Sequence, residues 1–122
     1  METKQELKLA DYERWVHEIW VDTEGRSEAE QLRALFIATV GLSEEVGELI
    51  GPLKKHVRSR RPVSALPEVM DRHYMMNEVG DVLYYLTRVA NHLGFTLQDA
   101  MQANVDKLVA RYNAHPPGVP TR

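Results

Sequence analysis

Leu42-Ser43-Glu44-Glu45-Val46-Gly47-Glu48-Leu49 interleaves acids with apolar residues, and reading it as part of a helix decides the fold. Leu32, Leu35, Phe36, Thr39, Leu42, Val46 and Leu49 recur every three or four positions, the spacing of one helix face. Glu45 and Glu48 then share a face and lie next to core-facing positions instead of opposite them. A second stretch, Asn77-Glu78-Val79-Gly80-Asp81-Val82-Leu83, repeats the arrangement with Glu78 and Asp81. Two such helices packed antiparallel, about 8–10 Å apart, would bring four carboxylates toward one point.

A lone acidic pair at this spacing is ordinarily a solvated helix face. Two pairs, each bordered by apolar neighbours, carry more weight. An ionised carboxylate cannot stay unpaired in an apolar interior unless a cation holds it. A hard divalent metal suits an all-oxygen ligand set, and a phosphate-bearing substrate is what such metals commonly serve. Gly47 and Gly80 lie inside the pairs and cost roughly 1 kcal/mol each relative to alanine. Close helix approach, or room for a ligand beside the acids, would offset that cost.

The rest of the chain reads as helical, since it lacks sustained period-two alternation and Asn-Gly or Asp-Gly hairpin turns. The expected fold class is all-α, a four-helix bundle-like single domain over residues 1–122. Helix one spans about Leu7 to Val21, with Tyr12, Trp15, Val16 and Ile19 as its apolar stripe and Gly25 in the following loop. Ser27 with Glu30 forms a capping box that starts helix two, and Gly51-Pro52 is expected to kink or interrupt it. A basic stretch from Lys54 to Arg61 adds a last turn or two, and Arg60 to Ser64 is the plausible flexible segment. Pro67 falls near the first turn of helix three, which runs to about His92 and stops at Gly94. Thr96 with Asp99 opens helix four, which continues to Tyr112 before Pro116-Pro117.

Composition excludes several classes. With no cysteine among 122 residues there is no disulfide, thiolate metal site or cysteine nucleophile. No apolar run reaches the roughly 18 residues of a membrane span, and Met1-Glu2-Thr3-Lys4 does not open a signal peptide, so a cytoplasmic location is expected. A net charge of −3 argues against a duplex-DNA binder, and the cluster at Lys54, Lys55, Arg58, Arg60 and Arg61 is small. The five histidines show no ligand spacing, Glu13 with His17 reads as a surface pair, and no Glu-x-x-His element supports a di-iron site.

Gly41 to Leu49, Asn77 to Leu86, and Ala103-Asn104-Val105-Asp106-Lys107-Leu108 with Arg111-Tyr112 together resemble the MazG-like all-α nucleoside triphosphate pyrophosphohydrolases. The resemblance covers about Trp15 to Tyr112. It implies a homodimer or homotetramer that cleaves (d)NTPs between the α and β phosphates, using magnesium with manganese as a substitute. It implies Glu45, Glu48, Glu78 and Asp81 as metal ligands, with Glu44 or Glu45 orienting the attacking water. Asn104, Lys107 and Arg111 would contact phosphates or sugar, and Tyr112 would fix the fourth helix. The 29 residues between Glu48 and Glu78, positions 49 to 77, are long for the family, the excess falling in the basic, proline-containing connection.

Lys54 and Lys55 are either pyrophosphate holders or a solvated basic helix end. Trp15 is either core or a base-stacking wall, and Trp20 is partly exposed or at a subunit contact. Of Tyr84 and Tyr85, one is core while the other lines a nucleoside pocket, and Tyr85 is taken for that role. Met70, Met75 and Met76 read as adaptable packing, either within the protomer or at a subunit interface. The rival to the enzyme is a non-catalytic helical module, a nucleotide sensor or scaffold; a nucleic-acid contact through residues 54–61 ranks last.

Overall fold

A computed structural model of the chain describes residues 5–20, 27–60, 62 and 71–119. Within them the protein is four helices without a strand: α1 Leu9–Ile19, α2 Glu28–Arg58, α3 Arg72–Leu93 and α4 Leu97–Tyr112. Val21, Gly25, Pro67, Met70 and most of the segment from Arg61 to Ser64 lie outside the described residues.

Local chemistry sets most of the helix ends. Ser27 Oγ accepts from the Glu30 amide while Glu30 Oε2 accepts from the Ser27 amide at 2.9 Å, and Thr96 with Asp99 repeats this reciprocal cap on α4. Gly94 takes the left-handed conformation, φ 83°, that stops α3. The described start of α3 is capped by Asp71, whose Oδ1 accepts from the Tyr74 amide at 2.8 Å. Asn113, also left-handed, closes α4 before the two prolines are reached.

Gly51-Pro52 does not interrupt α2, which runs unbroken through both residues. Proline at position 52 removes the amide that would have bonded the Glu48 carbonyl. That carbonyl instead accepts from the Tyr74 hydroxyl on α3 at 3.2 Å, so a side chain from the next helix fills the missing rung.

α2 and α3 form the antiparallel centre of the molecule. Glu48 meets Tyr74 and Gly41 meets Tyr85, so residue numbers fall along α2 as they rise along α3. The helices come close at Gly41, where an added Cβ would overlap the Tyr85 ring. Gly41→Ala therefore sets a helix-propensity gain of up to about 1 kcal/mol against an overpacking cost of about 1–3 kcal/mol. The ring is wedged between helices, so the clash wins. Thermal melting should show Gly41→Ala less stable than the parent, and equal or higher stability would refute that packing.

α1 lies against α3, with Val16 buried and Trp20 over Arg88 at 3.9 Å from guanidinium carbon to ring centroid. Arg88 is only 1% exposed, and burial lowers its pKa to about 10. Trp20 is thus half-buried against a cation. Glu13 does not pair with His17. Its Oε1 accepts from the Leu97 amide, tying α1 to the first turn of α4, where anionic side chains are favoured. Among the described residues the buried apolar side chains are Val16, Ala34, Ala38 and Ala90.

Candidate metal centre and cleft

The antiparallel α2–α3 pair converts two sequence motifs into one cluster. One carboxylate oxygen from each of Glu45, Glu78 and Asp81 lies within 4.8 Å of the others. Glu78 is buried, Glu45 half-buried and Asp81 exposed, so the cluster spans from core to surface. Glu48 is outside this three-way group, and its charge acts on Glu78. Glu44 is exposed, and its charge acts on Glu45.

Among the described residues no base forms an ion pair with these acids, the one ion pair being Arg14 with Asp11 at 3.0 Å. Burial first, then the neighbouring charges of Asp81, Glu48 and Glu44, pushes the Glu45 pKa above its ordinary 4.5. Burial followed by Glu48, Glu45 and Asp81 does the same to Glu78. Glu45 Oε2 and Glu78 Oε2 are buried without a hydrogen-bond partner. Two orphaned anionic oxygens beside further carboxylates are what a divalent cation would satisfy, so the residues present fit such an ion.

Beside the acids an open cleft of ≈ 560 Å³ runs between α1 and α3, lined by Tyr12, Trp15, Ile19, Met76, Asn77, Gly80, Asp81 and Tyr84. Burial raises the Tyr12 pKa, aided by Tyr84 and Asp81, and burial with the charges of Glu78, Glu48 and Glu45 raises that of Tyr74. Both hydroxyls therefore stay protonated donors near neutral pH. A Cβ at Gly80 or Gly47 would meet nothing within 4 Å. Gly80 leaves room in the acid-side cleft, Gly47 lies instead on the groove with Lys54 and Lys55, and close helix approach belongs to Gly41.

The other expected site residues are distributed. Trp15 lines the acid-side cleft. Tyr85 packs on Gly41, its ring edge-on to Tyr84 at 5.1 Å, so Tyr84 is the one that faces the cleft. Lys54 and Lys55 border a separate groove of ≈ 390 Å³ with Gly47, Gly51 and Arg58. Asn104 and Lys107 line a third groove, of ≈ 590 Å³, with Phe95 and Asp99, and Arg111 is exposed in the last turn of α4. The structure does not bring Asn104 or Lys107 into the acid-side cleft. Tyr12 and Asn77 were not anticipated there, and Tyr84 takes the place expected of Tyr85. Helical spacing was the available signal: Asn77 and Tyr84 lie four before and three after Asp81, and Tyr12 three before Trp15.

Fold and site together define an all-α protein with an oxygen-only acidic cluster beside an aromatic cleft that Asp81 borders. The MazG nucleotide pyrophosphohydrolase domain matches residues 37–115, which include all four paired acids, and the chain belongs to that family. The chain is similar to "Gene 37 protein" of Mycobacterium phage L5, 31% identical over 71% of this chain and 74% of the relative. It is also similar to "Uncharacterized protein YvdC" of Bacillus subtilis (strain 168), 30% identical over 87% of this chain and 97% of the relative. No solved structure matches the chain. No helix among the described residues is long and apolar enough to cross a membrane.

Proposed function

We propose that the protein is a magnesium-dependent nucleoside triphosphate pyrophosphohydrolase, cleaving (d)NTPs between the α and β phosphates to give (d)NMP and pyrophosphate. The observation that carries this reading is the convergence of Glu45, Glu78 and Asp81 within 4.8 Å, with two buried carboxylate oxygens lacking partners. Glu45, Glu78 and Asp81 would hold the ion, with the charge of Glu48 acting on Glu78. Bound there, a divalent cation neutralises phosphate charge and acidifies a coordinated water.

The chain's own residues supply the remainder. Glu44 or Glu45 orients water and takes its proton as the new oxygen bond forms at the α phosphorus. The bond from that phosphorus to the bridging oxygen breaks, and the electron pair leaves with pyrophosphate. Trp15 walls the cleft that receives the nucleoside, with Tyr85 positioning Tyr84 edge-on behind it. Asn104, Lys107 and Arg111 are assigned to phosphates or sugar on the family resemblance, and Lys54 and Lys55, by their charge, to holding the departing pyrophosphate. In this reading the protein is one cytoplasmic domain that acts on the nucleotide pool as a homodimer or homotetramer, with neither a nucleic-acid nor a membrane partner.

Incubation with a panel of standard and modified triphosphates tests the proposal. Monophosphate and pyrophosphate should appear in equal amounts with magnesium or manganese and cease with a chelator. Orthophosphate as the product would overturn the bond assignment, and thermal stabilisation by nucleotide without any product would make the protein a sensor.

A further inference from the structure

Arg88 is a buried cation that no acid answers. It is only 1% exposed on α3, and among the described residues no carboxylate forms an ion pair with it. Burial lowers its pKa only to about 10, so it stays charged at neutral pH. Its Nε and Nη1 are buried without a hydrogen-bond partner, and Nη2 meets only His92 Nε2, at 3.5 Å. The Trp20 ring over the guanidinium offsets part of the desolvation but supplies no negative charge. Buried charges are normally paired and buried donors satisfied, so the missing partner is an anion.

The neighbours give its chemistry. Trp20 Nε1 and, one turn along α3, Asn91 Nδ2 are also buried and unpartnered, so the orphans beside Arg88 are donors too. Trp20 lines a pocket of ≈ 330 Å³ with Glu30, Arg33, Ala34 and Ile37. That pocket lies level with Arg88: Gly41 faces Tyr85, so three residues forward on α3 correspond to about three back on α2. Arg33 is exposed there and adds a second cation, while Glu30 Oε2 is engaged by the Ser27 amide in the α2 cap. These donors come from the end of α1, from α2 and from α3, and so approach from different directions. A tetrahedral oxyanion, with oxygens on every side, suits them better than a flat carboxylate.

We infer that Arg88, Trp20 and Arg33 form a binding site for a phosphate group, separate from the acidic cluster, with Trp20 as the wall between the guanidinium and the open pocket. Asp81 is seven residues from Arg88, about 10 Å along α3. Entry requires the indole to turn aside and expose Nε and Nη1 to the pocket. The inference does not rest on hydrolysis, and its test is run in chelator.

In a Trp15→Phe background Trp20 is the sole tryptophan, so its fluorescence reports on the site. Inorganic phosphate, titrated into the full chain in EDTA against chloride at matched ionic strength, should change that fluorescence saturably, and acetate should not. A sugar phosphate run alongside distinguishes the source: tighter binding than inorganic phosphate supports a monoester that fills the pocket, weaker binding the free ion. Arg88→Met keeps much of the volume without the charge and should weaken phosphate binding at least about tenfold. Arg33→Gln changes only an exposed residue and should weaken it about two- to fivefold, which decides the matter if Arg88→Met does not fold. A double variant, Lys54→Ala with Lys55→Ala, should bind phosphate as the parent does. No saturable response, an equal response to acetate, or undiminished binding in Arg88→Met would overturn the site. Undiminished binding in Arg33→Gln, or binding lost with the two lysines, would do the same.

Discussion

Glu78→Gln is expected to lower pyrophosphate release about 100-fold or more while leaving the helical circular dichroism unchanged. A loss at or beyond 100-fold lies at or above the top of the 10–100-fold range typical of groups that merely support a metal ligand. Glutamine keeps the shape of the side chain but presents a neutral amide where Glu45, Glu48 and Asp81 crowd around a buried charge. The change therefore acts in opposite directions on two measurements. Without metal, melting temperature should rise, because a buried carboxylate among like charges has been neutralised. With magnesium the ion-dependent rise should vanish. Full turnover in Glu78→Gln, or an undiminished magnesium response, would remove the cluster from the mechanism.

The second large effect couples pH to metal. The folded-state pKa values of Glu45 and Glu78 lie above the ordinary 4.5, chiefly through burial and then through neighbouring acids. Between the ordinary and the raised values the folded protein binds more protons than the unfolded chain, so stability falls as pH rises through that window. In chelator, melting temperature should decline from pH 4.5 upward until both groups are ionised, then level. Asp99 works the other way, because the Thr96 amide and hydroxyl hold its pKa below 3.8 and its contribution fades only in stronger acid. Saturating magnesium requires the ionised carboxylates and should offset the decline, by about 2.7 kcal/mol at a hundred times Kd. A melting profile that climbs across the window in chelator, or one that magnesium does not alter, would contradict this electrostatic account.

The sequence made the helices legible wherever a few adjacent residues decide the outcome. Ser27 with Glu30, Thr96 with Asp99, and Gly94 each act within one turn, and all three appear as read. The pairing of two acidic helices was legible too, because Glu45 and Glu78 border apolar positions on helices long enough to lie side by side. What stayed hidden depends on contacts across the chain. Gly41 is tight only because Tyr85 arrives from α3, and Glu13 leaves His17 only because α4 offers an unsatisfied amide. Likewise Glu48 stands outside the three-way group of Glu45, Glu78 and Asp81, a distinction that motif spacing cannot resolve.

Pro52 thereby acquires a use at a distance. By withholding an amide it leaves one carbonyl, that of Glu48, available to the hydroxyl of Tyr74. Sliding α3 by a single turn, about 5.4 Å, would strand that carbonyl and carry Glu78 and Asp81 out of step with Glu45. An imide in one helix thus works as a notch that locks its neighbour in place, and the spacing of charges several residues away is inherited from it.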